Sequence, residues 1–213
     1  MEFSEVMLAR HSARSFKNTP VAKEDLVKIL ELASHAPSWV NAQEWKVFVA
    51  SGDTLNKIKA EYTPRSAGGE TGKSDLQVQH RENWSESAQK NMQEIGALVE
   101  ASRLGKEFGD SQHIMYNAPA IMIFCLPRSA NEFAVLDMGG FYQSAMLAAQ
   151  SLGIATIPSY NLVKYPDLLR KYLNISDDYK IVIGIALGYE DDAPINSFKP
   201  GRMSVSEFAE FRD

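Results

Sequence analysis

The sequence lacks the features that mark secreted, membrane-spanning and nucleic-acid-binding proteins. Cys125 is the only cysteine among 213 residues, so no disulfide can form within the chain. No run of 18 apolar residues is present, and the N-terminus has no apolar signal-peptide core. Acidic residues outnumber basic ones by 27 to 22, which argues against nonspecific binding to nucleic acid. We therefore expect a cytoplasmic protein that forms a single domain over residues 1–213.

Motifs for metal and nucleophilic catalysis are missing as well. The four histidines lie far apart, and no GxSxG or strand-following GxGxxG motif occurs. Residues 67–74, AGGETGKS, approach a phosphate-binding P-loop, but Ala67 stands where the motif needs its first glycine. The segment before it is charged and does not resemble a buried strand. An enzyme without its own acid, base or metal constellation often leaves the chemistry to a cofactor.

Helical and strand patterns alternate along the chain. The apolar periodicity predicts helices over 24–36, 54–62, 85–106, 133–152 and 165–172, and strands over 45–49, 120–126, 154–157 and 181–187. Residues 63–84 are polar, contain glycine and have no clear period, so we expect a mobile or lid-like excursion there.

The predicted helix over 133–152 is apolar on nearly every side, which predicts that it is buried on every side. Gly139 and Gly140, together with several alanines, allow another backbone to approach closely. We expect this helix to form part of a homodimer interface. The alternative is a central core helix of a monomer.

Near the N-terminus, two arginines flank a hydroxyl in the string Arg10-His11-Ser12-Ala13-Arg14. In an extended segment, positions 10, 12 and 14 project to the same side. The planar guanidinium suits bidentate binding of phosphate better than lysine does. The string therefore predicts an anion site, with a solvated basic turn as the alternative.

A second polar segment joins the first long helix to the first strand and contains Pro37, Ser38, Asn41 and Gln43. Asn and Gln side chains both donate and accept hydrogen bonds, which matches the edge of a flavin pyrimidine ring, where donors and acceptors are mixed. Trp39 is a candidate to cover a planar ring, although core packing is the more frequent role of such a tryptophan.

Taken together, these segments resemble the nitroreductase family of FMN-dependent oxidoreductases. The resemblance rests on the Arg-x-Ser-x-Arg string and on the Ala-Pro-Ser-x-x-Asn-x-Gln-x-Trp segment about 25 residues later. It continues in residues 152–158, in residues 183–189 and in the tail Lys199-Pro200-Gly201-Arg202. It thus spans nearly the whole chain, apart from residues 60–115.

The resemblance implies an α+β fold, in which helices flank a central, mostly antiparallel sheet, and an intertwined homodimer with two FMN sites at its interface. It also implies NADH or NADPH as reductant and ping-pong hydride transfer through flavin N5 to nitroaromatic, quinone or related acceptors. The cofactor-binding residues that it implies are Arg10, His11, Ser12, Arg14, Pro37, Ser38, Trp39, Asn41, Gln43, Pro158, Ser159, Tyr160, Asn161, Lys199 and Arg202. No side chain is expected to act as a catalytic acid or base.

Within that set, Arg10, Ser12 and Arg14 are expected to hold the phosphate, ribityl chain and pyrimidine edge, and His11 to contribute main-chain contacts. Arg202 approaches the same phosphate, with Lys199 beside it. Residues 37–43 come from the partner subunit, and a main-chain amide of residues 158–161 meets N5.

Three positions depart from the usual family pattern. Glu44 replaces proline in Gln-Pro-Trp, Trp39 replaces the second serine of Pro-Ser-Ser, and Tyr160-Asn161 replaces Glu-Gly. Other flavin chemistry within the family (dehalogenation, dehydrogenation or flavin breakdown) therefore stays an alternative, as does a flavin-binding or regulatory protein with little turnover. The sequence leaves open whether Arg65, Lys73 or Arg81 meets the nicotinamide cofactor.

Overall fold

A computed structural model of the chain describes residues 2–212. The first and last residues of the predicted domain 1–213 lie outside this range. The helices are α1 (Phe3–Ala9), α2 (Lys23–Ala33), α3 (Gly52–Ala67), α4 (Glu86–Ser102), α5 (Gly105–His113), α6 (Glu132–Ser151), α7 (Pro166–Leu173) and α8 (Val205–Phe208). The strands are β1 (Lys46–Ser51), β2 (Ala120–Pro127), β3 (Ala155–Ser159) and β4 (Tyr179–Gly188).

The four strands form one antiparallel sheet in the order β1-β2-β4-β3. Side chains of β2 alternate between the two faces, since Ile121 and Ile123 join one core cluster whereas Met122 and Phe124 join the other. Both faces are covered, which is why β2 reads as an unbroken apolar run. The predicted α+β class with a mostly antiparallel sheet is confirmed.

Helices cover the two faces of the sheet in pairs. The first cluster takes apolar side chains from α3 and α7, and the second takes them from α2 and α6. The pairing of α2 with α6 follows from the spacing of Leu26, Ile29 and Ala33, which places these three residues on one helical face. No helix among residues 2–212 is both long enough and apolar enough to cross a membrane.

Helix α3 is longer than the sequence predicts. The prediction ended it at Tyr62 and assigned residues 63–84 to an excursion, but the helix continues through Pro64 to Ala67. Proline lacks the N–H that a helix interior needs. The last turn is nevertheless held from outside, because the buried Ser66 hydroxyl contacts His113 Nδ1 at 2.9 Å and accepts from Lys164 Nζ at 2.8 Å. The prediction was wrong for residues 63–67.

One face of α6 is exposed in the single chain. Phe133 and Leu136 are 51% and 70% exposed, while Met138, Phe141 and Ala145 are buried in the second core cluster. Apart from the neighbouring residues and backbone of α6 itself, no atom of residues 2–212 lies within 4 Å of a methyl group built on Gly139 or Gly140. Burial of α6 on every side therefore requires more than residues 2–212 of one chain.

Candidate functional site

The two ends of the chain meet in one cavity of about 460 Å³. Arg10, Ser12 and Arg14 line it from the N-terminal segment, and Lys199 and Arg202 line it from the C-terminal tail. We call these five residues the basic cluster. Four of its members carry a positive charge, and almost 190 residues of sequence separate its two halves. The predicted convergence of Arg202 and Lys199 on the N-terminal string is found.

The outer edge of β3 holds the N-terminal half of the basic cluster in place. Ala13 donates its N–H to the Thr156 carbonyl at 3.0 Å, and Ser12 forms a parallel bridge with Thr156. Further along, Lys17 donates to the Tyr189 carbonyl at 2.8 Å. Ala13 and Phe16 are buried, whereas Arg14 and Ser15 between them stay partly accessible. This extended backbone is the conformation that the string needs to present alternate side chains on one side.

A buried asparagine ties the two ends of the chain together. Asn196 is 4% exposed, and its Oδ1 accepts from the main-chain N–H groups of Arg14 at 2.7 Å and Ser15 at 3.2 Å. Its Nδ2 donates to the Ser15 carbonyl and to Asp191. Sequence reasoning missed this residue, because a single asparagine in an irregular tail carries no pattern.

The Arg14 side chain is held before any ligand arrives. One of its terminal nitrogens donates to the Ser12 carbonyl at 2.9 Å. Its guanidinium carbon lies 4.8 Å from the ring centre of Phe108 and 5.6 Å from that of Phe198, which are cation–π distances. Burial lowers the pKa of Arg14, although a guanidinium remains charged at neutral pH. The charge is therefore fixed and partly desolvated.

The positive charges of the basic cluster have no carboxylate partner within residues 2–212. Arg10, Arg14, Lys199 and Arg202 form no salt bridge there, and Arg202 donates only to the carbonyls of Pro200 and Gly201. Burial lowers the pKa of Arg10, and repulsion from Arg202 lowers it further. Such a group of like charges is complementary to an anion with several oxygens, as a phosphate monoester has.

The ring of His11 is engaged on both of its nitrogens. Nδ1 lies 2.9 Å from the Ala9 carbonyl, and Nε2 lies 3.0 Å from a carboxylate oxygen of Glu190. The side chain therefore stabilises the local backbone, which leaves main-chain groups as what His11 can offer to a ligand.

Residues 158–161 end strand β3 and form a rigid turn. The Ser159 hydroxyl accepts from the main-chain N–H of Asn161 at 3.1 Å and lies 2.6 Å from the Tyr116 hydroxyl. Asn161 Nδ2 donates to Gln112 Oε1 at 3.0 Å. Tyr116 and Gln112 were not predicted as site residues, and no motif in the sequence marks them.

Residues 37–43, which we call the polar loop, adopt a strained backbone. Val40, Asn41 and Gln43 all have positive φ, between 48° and 59°. Asparagine tolerates this region, but the β-branched Val40 is a clear outlier. Val40 is also 88% exposed, so no neighbour in the single chain accounts for its conformation. Strain of this kind persists where surrounding structure or function requires it.

The polar loop packs against the beginning of α6. Trp39 donates its main-chain N–H to Asp137 at 2.9 Å, and its ring lies 4.7 Å from that of Phe133. Gln43 donates its main-chain N–H to the Ser38 hydroxyl at 3.2 Å. Trp39 nevertheless remains 60% exposed, so it does not pack in the core of the single chain.

The polar loop and the basic cluster do not share a cavity within one chain. A second cavity of about 300 Å³ is lined by Trp39, Ala42, Glu44, Trp45, Leu126, Asn131, Phe133, Ala134 and Asp137. None of these residues lines the cavity of the basic cluster. Within residues 2–212 of one chain, the segments 10–14 and 199–202 therefore line one cavity, whereas the polar loop lines another.

The segment after α3 is attached to the body of the protein at several points. Asp75 accepts from Arg170 at 2.7 Å and from the main-chain N–H of Ile181 at 2.8 Å. Arg65 binds both Glu70 and Asp167 and stacks 4.2 Å from the Tyr165 ring centre. Because these carboxylates engage its guanidinium, Arg65 is a poor candidate for the nicotinamide cofactor.

A sequence model described as the nitroreductase family matches residues 7–189. The chain belongs to the nitroreductase family. It is 28% identical to a 4-nitrobenzoate reductase of Pseudomonas putida over 222 aligned positions, which cover 99% of this chain and 95% of that protein. It is also 28% identical to nitroreductase NfnB of Mycolicibacterium smegmatis, with 95% of this chain and 89% of that protein covered.

Solved structures of nitroreductases share the fold of this family member. The FMN-dependent nitroreductase NfnB from Mycobacterium smegmatis, in complex with NADPH, superimposes with a TM-score of 0.90 at 26% identity, covering 99% of this chain and 97% of that one. A nitroreductase with bound FMN from Desulfitobacterium hafniense gives a TM-score of 0.67 at 25% identity and full coverage of both chains.

Proposed function

We propose that this protein is an FMN-dependent NAD(P)H oxidoreductase that reduces nitroaromatic, quinone or related acceptors. The observation that carries the proposal is the basic cluster, in which four cations without a carboxylate partner line one cavity. The chain resembles curated nitroreductases along nearly its whole length, and a solved relative is FMN-dependent and binds NADPH. A flavin mononucleotide supplies the phosphate that such a cluster needs.

In this proposal the basic cluster holds the phosphate end of FMN. Arg202, Lys199 and the adjacent Arg10 neutralise the phosphate, while Ser12 and Arg14 contact the ribityl chain and the pyrimidine edge. The main chain around His11 contributes further contacts. Because the Arg14 guanidinium is already held by Ser12 and two aromatic rings, its side chain loses little conformational entropy when FMN binds.

We propose that the main-chain N–H of Tyr160 is the donor to flavin N5, and the geometry of β3 supports this choice. Thr156 uses its outward carbonyl to bind Ala13, so alternate residues of β3 direct their main-chain groups outward. The next outward position is Pro158, which has no N–H. Ser159 is still extended, with φ −151° and ψ 133°, so the alternation continues to the N–H of Tyr160. The Asn161 N–H is bound to Ser159, which leaves Tyr160 as the donor in our proposal.

When bound, FMN supplies the redox chemistry, accepting a hydride from NADH or NADPH and passing the electrons to the acceptor in a ping-pong cycle. The protein binds, orients and excludes water. A fixed N–H at Tyr160 stabilises charge that develops at N5, and it needs no reorganisation during the reaction. No side chain has to act as an acid or a base.

We further propose a homodimer in which the polar loop of one subunit completes the site of the other. Three observations support it: the exposed apolar face of α6, the strained and exposed polar loop, and the absence of that loop from the cavity of the basic cluster. Apolar patches of this kind are typical of interaction surfaces.

The proposal has three further parts. The protein is cytoplasmic, and either Lys73 or Arg81 contacts the nicotinamide cofactor. Residues 68–84 move over the site.

The visible spectrum of the purified protein tests the cofactor. We expect oxidised-flavin bands and release of FMN on denaturation. Anaerobic addition of NADH and of NADPH then tests the reductase, since at least one of them should bleach the flavin bands and a nitroarene should restore them. A protein that cannot be reconstituted with FMN would overturn the proposal. A yellow protein that neither reductant bleaches would point to the flavin-binding alternative.

A further inference from the structure

The turn that carries Tyr160 is fastened from the side by residues outside the proposed cofactor contacts. Tyr116 is 3% exposed, and its hydroxyl lies 2.6 Å from that of Ser159. Gln112, at the end of α5, accepts from the side-chain amide of Asn161 at 3.0 Å. The residues on both sides of Tyr160 are therefore bound to one neighbouring segment, which consists of the end of α5 and the turn after it.

The backbone of that neighbouring segment is strained. Met115, Tyr116 and Asn117 are three successive non-glycine residues with positive φ, at 51°, 61° and 57°. Left-handed residues normally occur singly, since each costs roughly 1–2 kcal/mol. Burial of Met115 and Tyr116 opposes this cost, and Lys59 Nζ donates to the carbonyl of Ala118 just beyond at 2.7 Å. The conformation directs the Tyr116 ring inward, so that its hydroxyl reaches Ser159.

The opposite side of the turn is also fixed. A methyl group built on Gly184 would lie 2.6 Å from Cβ of Leu162, so Leu162 packs directly on the backbone of β4. Any side chain at position 184 would push the turn outward. With β4 on one side and Tyr116 on the other, residues 159–162 have little freedom to rotate.

Tyr116 remains neutral, which preserves its hydroxyl as a hydrogen-bond donor. Burial raises the pKa of Tyr116, while its hydrogen bond with Ser159 acts in the opposite direction. Either of the two neutral hydroxyls can supply the proton that joins them. The contact is thus stable over the whole range of pH in which the protein is expected to work.

We propose that Tyr116 and Gln112 are positioning residues, which orient the Tyr160 N–H by fixing Ser159 and Asn161. This inference rests on the proposed function, because the Tyr160 N–H matters for the reaction only if FMN binds beside it. Loss of the Tyr116 hydroxyl leaves the ring in the core but frees one side of the turn. The donor then fluctuates in direction, and small misplacements of a positioned group reduce rates by as much as about 10²-fold.

The test compares Tyr116→Phe with the wild-type holoenzyme by two measurements. The first is the ¹⁵N chemical shift of oxidised FMN labelled at N5, which reports the hydrogen bond at that atom without turnover. The second is the single-turnover rate of flavin reduction by NADH or NADPH. We expect the shift to move towards that of free FMN and the rate to fall roughly tenfold or more, with FMN affinity within about threefold of wild type because the basic cluster is untouched.

Two further variants show whether Tyr116 acts through Ser159. Ser159→Ala removes the contact with Tyr116 and also the acceptor of the Asn161 N–H, so it should reproduce both changes at least as strongly. The double variant should be no worse than Ser159→Ala alone, since Tyr116 then has no contact left to lose in the turn. Tyr62→Phe is the matched control, because Tyr62 is a buried tyrosine of the same core whose hydroxyl is not bonded to residues 159–161. It should leave the shift and the rate unchanged. Gln112→Met removes the hydrogen bond between Gln112 and Asn161, and it replaces Tyr116→Phe in the test if that variant does not fold.

The outcomes separate this inference from the proposed function. If wild-type protein binds no FMN, or no reductant bleaches it, the proposed function fails first. If the wild type works and Tyr116→Phe retains both the N5 shift and the reduction rate, the positioning role is wrong. If Tyr116→Phe loses FMN altogether, or additive losses appear in the double variant, Tyr116 supports the fold and does not act through the turn.

Discussion

The basic cluster and the polar loop are the two halves of the proposed flavin site, and they differ in how they are built. The basic cluster is complete in one chain, with its backbone bound to β3 and to Asn196. The polar loop is exposed, strained and bound mainly to α6 through Trp39. One half is thus stabilised by the fold itself. The conformation of the other half is not explained by contacts within residues 2–212, and we attribute it to the proposed second subunit.

Because of this difference, we expect one half to determine the affinity for FMN and the other to depend on assembly of the proposed dimer. Charge-assisted hydrogen bonds in the basic cluster account for most of the expected affinity for a phosphate. In the proposed dimer, the polar loop contributes shape and edge contacts to the flavin ring bound in the partner subunit. Variants of the first half should therefore weaken FMN binding without changing the oligomer, whereas variants of the interface should affect both.

The largest expected effect is that of Leu136→Asp on the exposed face of α6. A carboxylate buried in an apolar interface without a partner costs several kcal/mol, so we expect monomers and loss of most bound FMN. Light scattering and the flavin absorbance of the purified variant measure the two consequences. Asn56→Asp, which adds a carboxylate to the exposed surface of α3, is the control. A Leu136→Asp dimer with normal FMN would place the interface elsewhere.

The next largest effect is that of Asn196→Ala, which breaks the link between the two chain ends. The N–H groups of Arg14 and Ser15 lose their acceptor, and we expect the free energy of unfolding to fall by about 3 kcal/mol. Urea unfolding of the apoprotein measures this loss directly. Ser197→Ala removes the neighbouring exposed side chain as a control. If Asn196→Ala unfolds at the wild-type urea concentration, the other contacts of the N-terminal segment, such as those with Thr156 and Tyr189, are sufficient to hold it.

Much of the sheet and its helices could be predicted from the sequence, because burial on two faces leaves a clear apolar pattern. The strand over 120–126 and the helix over 133–152 agree with β2 and α6 to within about one residue at each end. The end of α3 could not be predicted. Its last turn passes Pro64 only because Ser66 is bound by His113 and Lys164, which are distant in sequence.

The candidate site, like the fold, could be predicted from the sequence only in part. The N-terminal half of the basic cluster could be predicted as an anion site because arginines flanking a serine form a recognisable string, whereas Lys199 and Arg202 were expected only from the family resemblance. Tyr116, Gln112 and Asn196 were not, since each acts through one hydrogen bond or a few to distant residues. Single polar residues become significant only when the fold shows what they touch.

A smaller effect is expected for Arg202→Ala in the basic cluster. The loss of one charge-assisted contact, worth roughly 1.5–3 kcal/mol, should raise the Kd for FMN by about 10- to 100-fold, without unfolding the chain. Arg14→Ala should act in the same direction. Fluorescence titration of the apoprotein with FMN gives the Kd. Arg212→Ala, at an exposed tail arginine paired with Glu210, should change little. Normal FMN retention in both cluster variants would show that the phosphate binds elsewhere.

The smallest effect is expected for Trp39→Ser, which restores the serine usual in the family. The main-chain bond from residue 39 to Asp137 remains, so the polar loop should keep its conformation and FMN affinity should stay within about threefold. Removal of an indole that is 60% exposed beside Phe133 widens the space next to the ring. We expect KM for bulky nitroarenes to fall roughly three- to tenfold, and KM for nitrobenzene to change less. Phe211→Ser, at an exposed aromatic residue near the C-terminus, is the control. If KM falls equally for small and bulky acceptors, or in both variants, Trp39 does not limit the pocket, and the polar loop acts only in assembly.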